Sequence, residues 1–290
     1  MPDFSVVIIS YNGREFLKKC LESIKKSVLA PRQIIVVDDF SSDGTEEMVK
    51  KEFNFIEFIR NGRNLGPTVS RNRGAKLSKG KYVVFIDNDI LVKPETFSKM
   101  VEFMESHADA GIAGAKIIPK MWWNMGYDPN NFREVVGYFI GFLLKIFPRF
   151  QQLKVFSMKF ILNYWDYDKT LPVGWVIESC FIIKREIFER INGFDERFFM
   201  YYEGPDLCRR VRNEGLKVYF YPEAIVDAFE NHTHNEIKRS FFLTKAKYLF
   251  YKKHYFYKRS NPILFFMGKF ISGIFYFFLA NLNINEYDNH

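Results

Sequence analysis

Four short runs of β-branched and aromatic residues, at 4–10, 33–38, 55–60 and 82–87, alternate with segments of helical spacing at 14–27, 44–52 and 67–79. This alternation constrains the fold most, because strands joined by helical crossovers lie parallel in one sheet with helices packed on it. The run Tyr82-Val83-Val84-Phe85-Ile86 has no polar interruption, the pattern of a strand covered on both faces. Leu17, Cys20, Leu21 and Ile24 mark the buried stripe of the first helix. Ser42-Asp43-Gly44-Thr45-Glu46-Glu47 offers capping residues and early acids to the second helix, and Pro67 suits the first turn of the third. The expected class is α/β, with a Rossmann-like, mostly parallel central sheet and helices on both faces.

The pattern breaks near residue 119. Trp122, Trp123 and the polar cluster 128–131 read as a loop, followed by the apolar, aromatic stretches 136–147 and 155–165. The stretch 136–147 is too short to span a bilayer and suits an interfacial or core helix, so 132–165 is read as an amphipathic insert. Regular structure is expected to resume with a strand at 173–183 and a helix ending near Gly193. A short helix at 206–214 stopped by Gly215 and a strand at 217–221 follow. The expected units are 1–118 and 119–230 of one domain, then an extension over 231–290.

That extension holds nine Lys/Arg against three acids, most of the net charge of +8. Residues 238–259 read as a basic, aromatic helix. Residues 263–280 carry one charge, Lys269. A central lysine disfavours membrane insertion by roughly 2.5–3.5 kcal/mol, so a helix lying in the membrane interface is expected, with a span or a core or dimer helix as alternatives. Basic residues among aromatics suit an anionic membrane surface. No nucleic-acid partner is expected, because the aromatics cluster with a near-apolar run rather than a solvated groove. Cys20, Cys180 and Cys208 are widely spaced, which points away from disulfides and zinc and toward a reducing cytosol. The chain starts directly with a strand and shows no signal-peptide pattern.

Polar motifs stand where the strands are expected to end. Asp87-Asn88-Asp89 closes the fourth run. Two carboxylates one residue apart can share a hard divalent cation that holds a diphosphate, although Asp and Asn are also common in turns. Ser10-Tyr11-Asn12-Gly13 closes the first run and Asp38-Asp39 the second. Ser42 or Asp43 is expected to cap the next helix, leaving Asp38 and Asp39 free for a base or ribose. Asn64-Leu65-Gly66 and Ser70-Arg71-Asn72-Arg73-Gly74 supply polar and cationic groups that could face phosphates. Neither G-x-x-x-x-G-K-[ST] nor G-x-G-x-x-G occurs, which argues against a P-loop or Rossmann dinucleotide site.

Taken in order, these motifs resemble those of family 2 glycosyltransferases, as does the later stretch Gly193-Phe194-Asp195-Glu196-Arg197-Phe198-Phe199-Met200-Tyr201-Tyr202-Glu203. The similarity covers about residues 4–259 and is greatest to the rhamnosyltransferase-like branch that builds surface polysaccharides. It implies a GT-A fold, with 1–118 as a nucleotide-binding half and 119–230 as an acceptor-binding half. It also implies inverting, metal-dependent sugar transfer from a dTDP-, UDP- or GDP-sugar to a glycan or lipid-linked acceptor. By position, Asp38 would contact the base, Asp87 the ribose or metal, and Asp89 a Mg²⁺ or Mn²⁺. Ser10, Tyr11, Asn12, Asp39, Asn64, Gly66, Arg71 and Asn88 would complete the nucleotide-sugar site.

Inversion in a single displacement needs a base opposite the leaving group. The resemblance places an Asp at 204, but the chain reads Glu203-Gly204-Pro205-Asp206. Glu203 is the first choice for the base, because the Gly-Pro turn could re-aim it. Glu178 is the second. Asp206 is a further candidate that could instead cap the following helix. A metal-binding His is expected near Ala228; His232 and His234 come slightly later and, two residues apart, could face one side. The implied location is cytoplasmic and peripheral, on the inner face of the cell membrane. The loss of the base at 204 leaves a rival reading, a degenerate glycosyltransferase fold that binds nucleotide sugar or glycan without turnover.

Overall fold

The computed structural model describes residues 3–119, 125–126, 167–229 and 236–254. Its elements run β1 (Phe4–Ser10), α1 (Arg14–Lys25), β2 (Gln33–Asp38), α2 (Thr45–Glu52), β3 (Glu57–Arg60), α3 (Pro67–Leu77), β4 (Tyr82–Asp87), β5 (Ile90–Val92), α4 (Thr96–Ser106) and β6 (Ala110–Ile118). There follow β7 (Met125–Gly126), β8 (Leu171–Val173), β9 (Trp175–Val176), β10 (Cys180–Lys184), α5 (Arg185–Arg190), α6 (Glu203–Asn213), β11 (Lys217–Ala228) and α7 (Glu236–His254).

The main sheet has the order β3-β2-β1-β4-β10-β6-β11-β5, with β8 also paired to β11. Strands β3, β2, β1, β4, β6 and β11 share one direction, and β10, β5 and β8 oppose it. The mostly parallel sheet expected from the alternation is therefore present. Side-chain alternation of period two sends each strand's residues to two cores. Val6, Ile8, Val84 and Ile86 pack with α1, α2 and α4 on one face. Val7, Val83 and Phe85 pack with α3, α5 and α6 on the other. Both faces are thus covered, which is why β4 reads as uninterrupted apolar sequence.

Several boundaries differ from those expected. The third strand begins at Glu57 rather than 55. The single strand expected at 173–183 is three short ones, because its parts have different partners: β8 pairs with β11, β9 with β7, and β10 with β4 and β6. This break leaves Ile177-Glu178-Ser179 outside any strand. The sixth helix starts at Glu203, not Asp206, with Pro205 in its first turn, where a missing N–H costs nothing. The strand at 217–221 continues to Ala228 through a register shift between Tyr221 and Ile225, which accommodates Pro222. α4 and β6 had no counterpart in the expectations, although Phe97, Met100, Phe103 and Met104 have helical spacing and are buried. β6 reads AGIAGAKII, whose small residues give little strand signal. The insert 132–165 and the segment 263–280 lie outside the described residues. Among the described residues no helix is long and apolar enough to cross a membrane.

Phe85 anchors the second core. It is fully buried, stacks on Phe181 at 5.1 Å between ring centroids, and meets Phe188 and Phe194 at 5.3 and 5.4 Å. Phe85→Ala is expected to lower the unfolding free energy by about 3–5 kcal/mol in urea titrations. A loss below about 1 kcal/mol would show that this core collapses around the cavity.

Candidate active site at the carboxyl edge of the sheet

β1 is flanked by β2 on one side and β4 on the other, so the chain reverses its direction of sheet growth there. Crevices at such points, outside the carboxyl ends of strands, are where open α/β sheets bind ligands. Register places Ser10 beside Asp38, and Ile9 beside Asp87. Asn88 Nδ2 donates to Ser10 Oγ at 3.1 Å, and a Cβ on Gly13 would come within 2.1 Å of that Nδ2. The motif ending β4 is thus seated on the motif ending β1. Asn88 and Asp89 form the turn between β4 and β5, so the same residues make both a turn and an exposed acidic edge.

Asp38 and Asp39 diverge in role. Asp38 Oδ2 accepts from the Ser41 N–H at 3.0 Å, while Oδ1 is buried with no hydrogen-bond partner. Burial pushes the Asp38 carboxyl above the ordinary range, against the opposing hydrogen bonds of Ser41 and the charge of Arg60. Asp39 is not left free as expected. Its Oδ1 accepts from Asn61 Nδ2 at 2.7 Å and Leu65 N–H at 2.8 Å, and its Oδ2 from Gly66 N–H at 2.8 Å. The carboxylate thereby folds the 61–66 loop, whose Gly66 sits at φ 85°, a conformation that favours glycine. Asn64 contributes Oδ1 to the same Gly66 N–H at 3.1 Å. Asn12 Oδ1 accepts from Ser42 N–H at 2.9 Å, zipping the β1 and β2 loops together. Asp43, not Ser42, serves the start of α2, accepting from Thr45 N–H at 3.2 Å. Tyr11 and Phe40 stand exposed at this edge. Phe40 escaped the sequence reading; its only signal is its place directly after Asp38-Asp39.

Arg71, on α3, is buried and spans the site. Its Nη2 donates to Asp87 Oδ1 at 2.7 Å and its Nη1 to Glu203 Oε1 at 3.0 Å. Burial opposes its charge, but Asp87 and Glu203 more than restore it, so the guanidinium stays protonated. Glu203 is only 4% exposed, and its Oε2 is buried with no hydrogen-bond partner. Burial and the nearby Glu178 raise its pKa against the pull of Arg71. Glu178 lies in the turn before β10, partly exposed, and its Oε1 accepts from Gly204 N–H at 2.5 Å. Burial of its carboxyl also raises its pKa, with Arg71 opposing. Glu203 was the first choice for a base, yet it is sealed beneath Arg71.

Asp206 neither caps α6 nor faces the crevice. It lies inside the helix, fully buried, with Oδ1 bonded to His254 Nε2 at 2.7 Å and to Lys253 Nζ at 2.6 Å, and Oδ2 to Arg210 Nε at 2.8 Å. His254 and Lys253 come from α7, so Asp206 fastens that helix to α6. Asn72 was likewise seen only as a motif member; it brackets Phe194, accepting from its N–H and donating to its C=O, both at 2.9 Å. His232 and His234 lie outside the described residues. Among the described residues no group of three or more His, Cys, Asp or Glu gathers as a metal cage.

An open, mostly parallel sheet with acidic and amide groups at a switch point defines the doubly wound α/β class of protein. A family model described as glycosyl transferase family 2 matches residues 5–191, and one described as the N-terminal domain of galactosyltransferase matches 160–235. The chain belongs to glycosyltransferase family 2. It is 24% identical over 237 residues to the N-acetylglucosaminyl-diphospho-decaprenol L-rhamnosyltransferase of Mycobacterium tuberculosis, an alignment covering 76% of this chain and 74% of the relative. Its fold is similar to S. aureus TarS 1-349 in complex with UDP-GlcNAc, with TM-score 0.61, 16% identity, and coverage of 86% of this chain and 65% of that one. It is also similar to the mannosyltransferase PcManGT from Pyrobaculum calidifontis in complex with GDP-Man and Mn²⁺, with TM-score 0.57, 16% identity, and coverage of 86% and 62%. The chain thus spans less than two thirds of either solved chain. The GT-A fold implied by the motifs is the fold found.

The α7 anchor makes stability sensitive to acid. Burial lowers the His254 pKa, only partly offset by Asp206, so the folded state binds fewer protons there than the unfolded chain. Its contribution is present above the unfolded value of about 6.5 and is lost as pH falls below it. His254→Gln, which keeps an N–H donor for Asp206, is expected to have a shallower loss of stability between about pH 7 and 5 than the wild type. Denaturant titrations across that range check this; parallel slopes would show that His254 does not contribute.

Proposed function

We propose that this chain transfers a sugar, with inversion, from a nucleoside diphosphate sugar to a lipid-linked glycan in surface-polysaccharide synthesis. The observation that carries the reading is the convergence of Asp38, Ser10 and Asp87-Asn88-Asp89 on one switch point of a family 2 sheet. A buried carboxylate oxygen without a donor, Asp38 Oδ1, is suited to accept a base N–H. Asp39, Asn12, Asn64 and Gly66 build the walls of the site, and Tyr11 offers an exposed ring beside it. The activity named for the mycobacterial relative supports a lipid-linked acceptor.

The residues fit a divalent metal with few protein ligands. Asp87 and Asp89 are both partly exposed and flank one residue of the turn, and Asp87 Oδ1 is already held by Arg71. Oxygen donors so few in number suit Mg²⁺ or Mn²⁺ that draws its other ligands from a diphosphate and water. A cation bound there would neutralise charge building on the leaving diphosphate. Arg71 keeps Asp87 aimed at that position. The basic, aromatic character of 231–290 supports peripheral association with an anionic membrane surface, where the acceptor would be embedded.

A thermal-shift screen of UDP, GDP and dTDP, each with and without Mn²⁺, tests the donor side. One nucleotide is expected to stabilise the protein with Mn²⁺ present, by about 2.7 kcal/mol at a hundredfold excess over Kd. Asp89→Ala is expected to abolish the Mn²⁺-dependent part and to cut transfer at least about 100-fold. If Asp89→Ala kept both, the metal assignment would fall.

A further inference from the structure

Three carboxylates lie around the first turn of α6, and they differ in exposure and in how their oxygens are engaged. Glu203 is 4% exposed and clamped on Arg71. Asp206 is fully buried, and both of its oxygens are engaged by His254, Lys253 and Arg210. Glu178 is partly exposed, in the turn that precedes β10. The Asp87 N–H donates to Ser179 O at 3.0 Å, which sets Glu178 immediately beyond the carboxyl end of β4.

The position of the Glu178 carboxylate is tied to the glycine opposite it. A Cβ on Gly204 would lie 2.0 Å from Glu178 Oε1, 2.3 Å from its Cδ and 2.6 Å from its Cγ. The carboxylate therefore fills the space that any side chain at 204 would need. It is held there by the Gly204 N–H, one of the unpaired donors of a helix N-terminus. We propose that Glu178 is the general base of the transfer reaction, delivering from the β9–β10 turn a carboxylate to the place that the first turn of α6 leaves empty at Gly204. This rests on the reading of the chain as an inverting transferase.

In the step, Glu178 takes the proton of the acceptor hydroxyl as that oxygen bonds to the anomeric carbon. The bond from the anomeric carbon to the diphosphate oxygen breaks, and the nucleoside diphosphate leaves with the electron pair. The product is a glycoside of inverted configuration, and Glu178 returns its proton to solvent. The base comes from the turn between β9 and β10 rather than from α6.

The test uses the full chain with Mn²⁺, dTDP-L-rhamnose, UDP-GlcNAc and GDP-Man as donors, and a short-chain N-acetylglucosaminyl-diphospho-polyprenol as acceptor, reading nucleoside diphosphate release. Glu178→Gln keeps an oxygen for the Gly204 N–H but cannot take the proton. It is expected to lower kcat by about 10²–10⁴-fold while leaving Mn²⁺-dependent nucleotide binding and the thermal midpoint near wild type. The double variant Glu178→Gly/Gly204→Asp, which relieves the clash at 204 and returns a carboxylate from α6, is expected to recover turnover above Glu178→Gln. Wild-type turnover in Glu178→Gln overturns the proposal alone, as does a loss of nucleotide binding parallel to the loss of kcat. A wild-type chain that binds nucleotide but transfers from no donor overturns both this proposal and the transferase reading.

Discussion

The site depends on one buried cation. Arg71 reaches from α3 to the end of β4 through Asp87 and to the start of α6 through Glu203. Each partner alone would be a charge in a largely dry place, and removing one member of such a set is far more costly than the set is worth. The arrangement consequently fixes geometry more than it adds stability. It holds the end of β4 at a set distance from the start of α6. It also engages one oxygen of each partner: Glu203 Oε1 and Asp87 Oδ1 both accept from Arg71.

Around that cation the crevice is shaped by side chains that replace missing backbone partners. Loops at a carboxyl edge leave N–H groups without strand or helix partners, and these must be satisfied. Asp39 takes two from the 61–66 loop and Asn12 takes one from Ser42. Asp38 is the exception, with one buried oxygen left unmatched. In a wall so thoroughly hydrogen-bonded, that unmatched oxygen stands out as the one acceptor of the pair Asp38-Asp39 that the fold itself does not use.

The first half of the fold was legible because its signals are local. β1, β2 and β4 are largely buried apolar runs, and each crossover helix carries its own buried face, so pattern and structure agree there to within a few residues. The second half was less legible because its strands are short and divide their pairing among different partners. Residues 173–183 look continuous in sequence, but β8, β9 and β10 belong to separate pairings. Site residues follow the same division. The positions of Asp87-Asn88-Asp89 and Ser10 at strand ends were readable because the strands before them are. The roles of Asp39, Asp206 and Glu203 depend on partners 22 or more residues away, at Asn61, His254 and Arg71. Carboxylates look alike in a sequence, and only packing reveals which are spent.

Composition set residues 231–290 apart as an extension, yet α7 is part of the structure that shapes α6. Tyr201 and Tyr202, just before α6, both have φ in the left-handed region, at 68° and 62°. Bulky residues hold that conformation only when their surroundings enforce it. The enforcing contacts come partly from α7: Phe250 packs on Tyr202 at 5.3 Å and joins Phe198 in a small core, while His254 and Lys253 bond to Asp206. Asp195 adds a second hold on Lys253 at 2.7 Å. The turn that delivers Glu203 and Gly204 is therefore strained on one side and clamped on the other. The conformation of the turn and the docking of α7 thus share one set of contacts, centred on Asp206, Phe198 and Phe250.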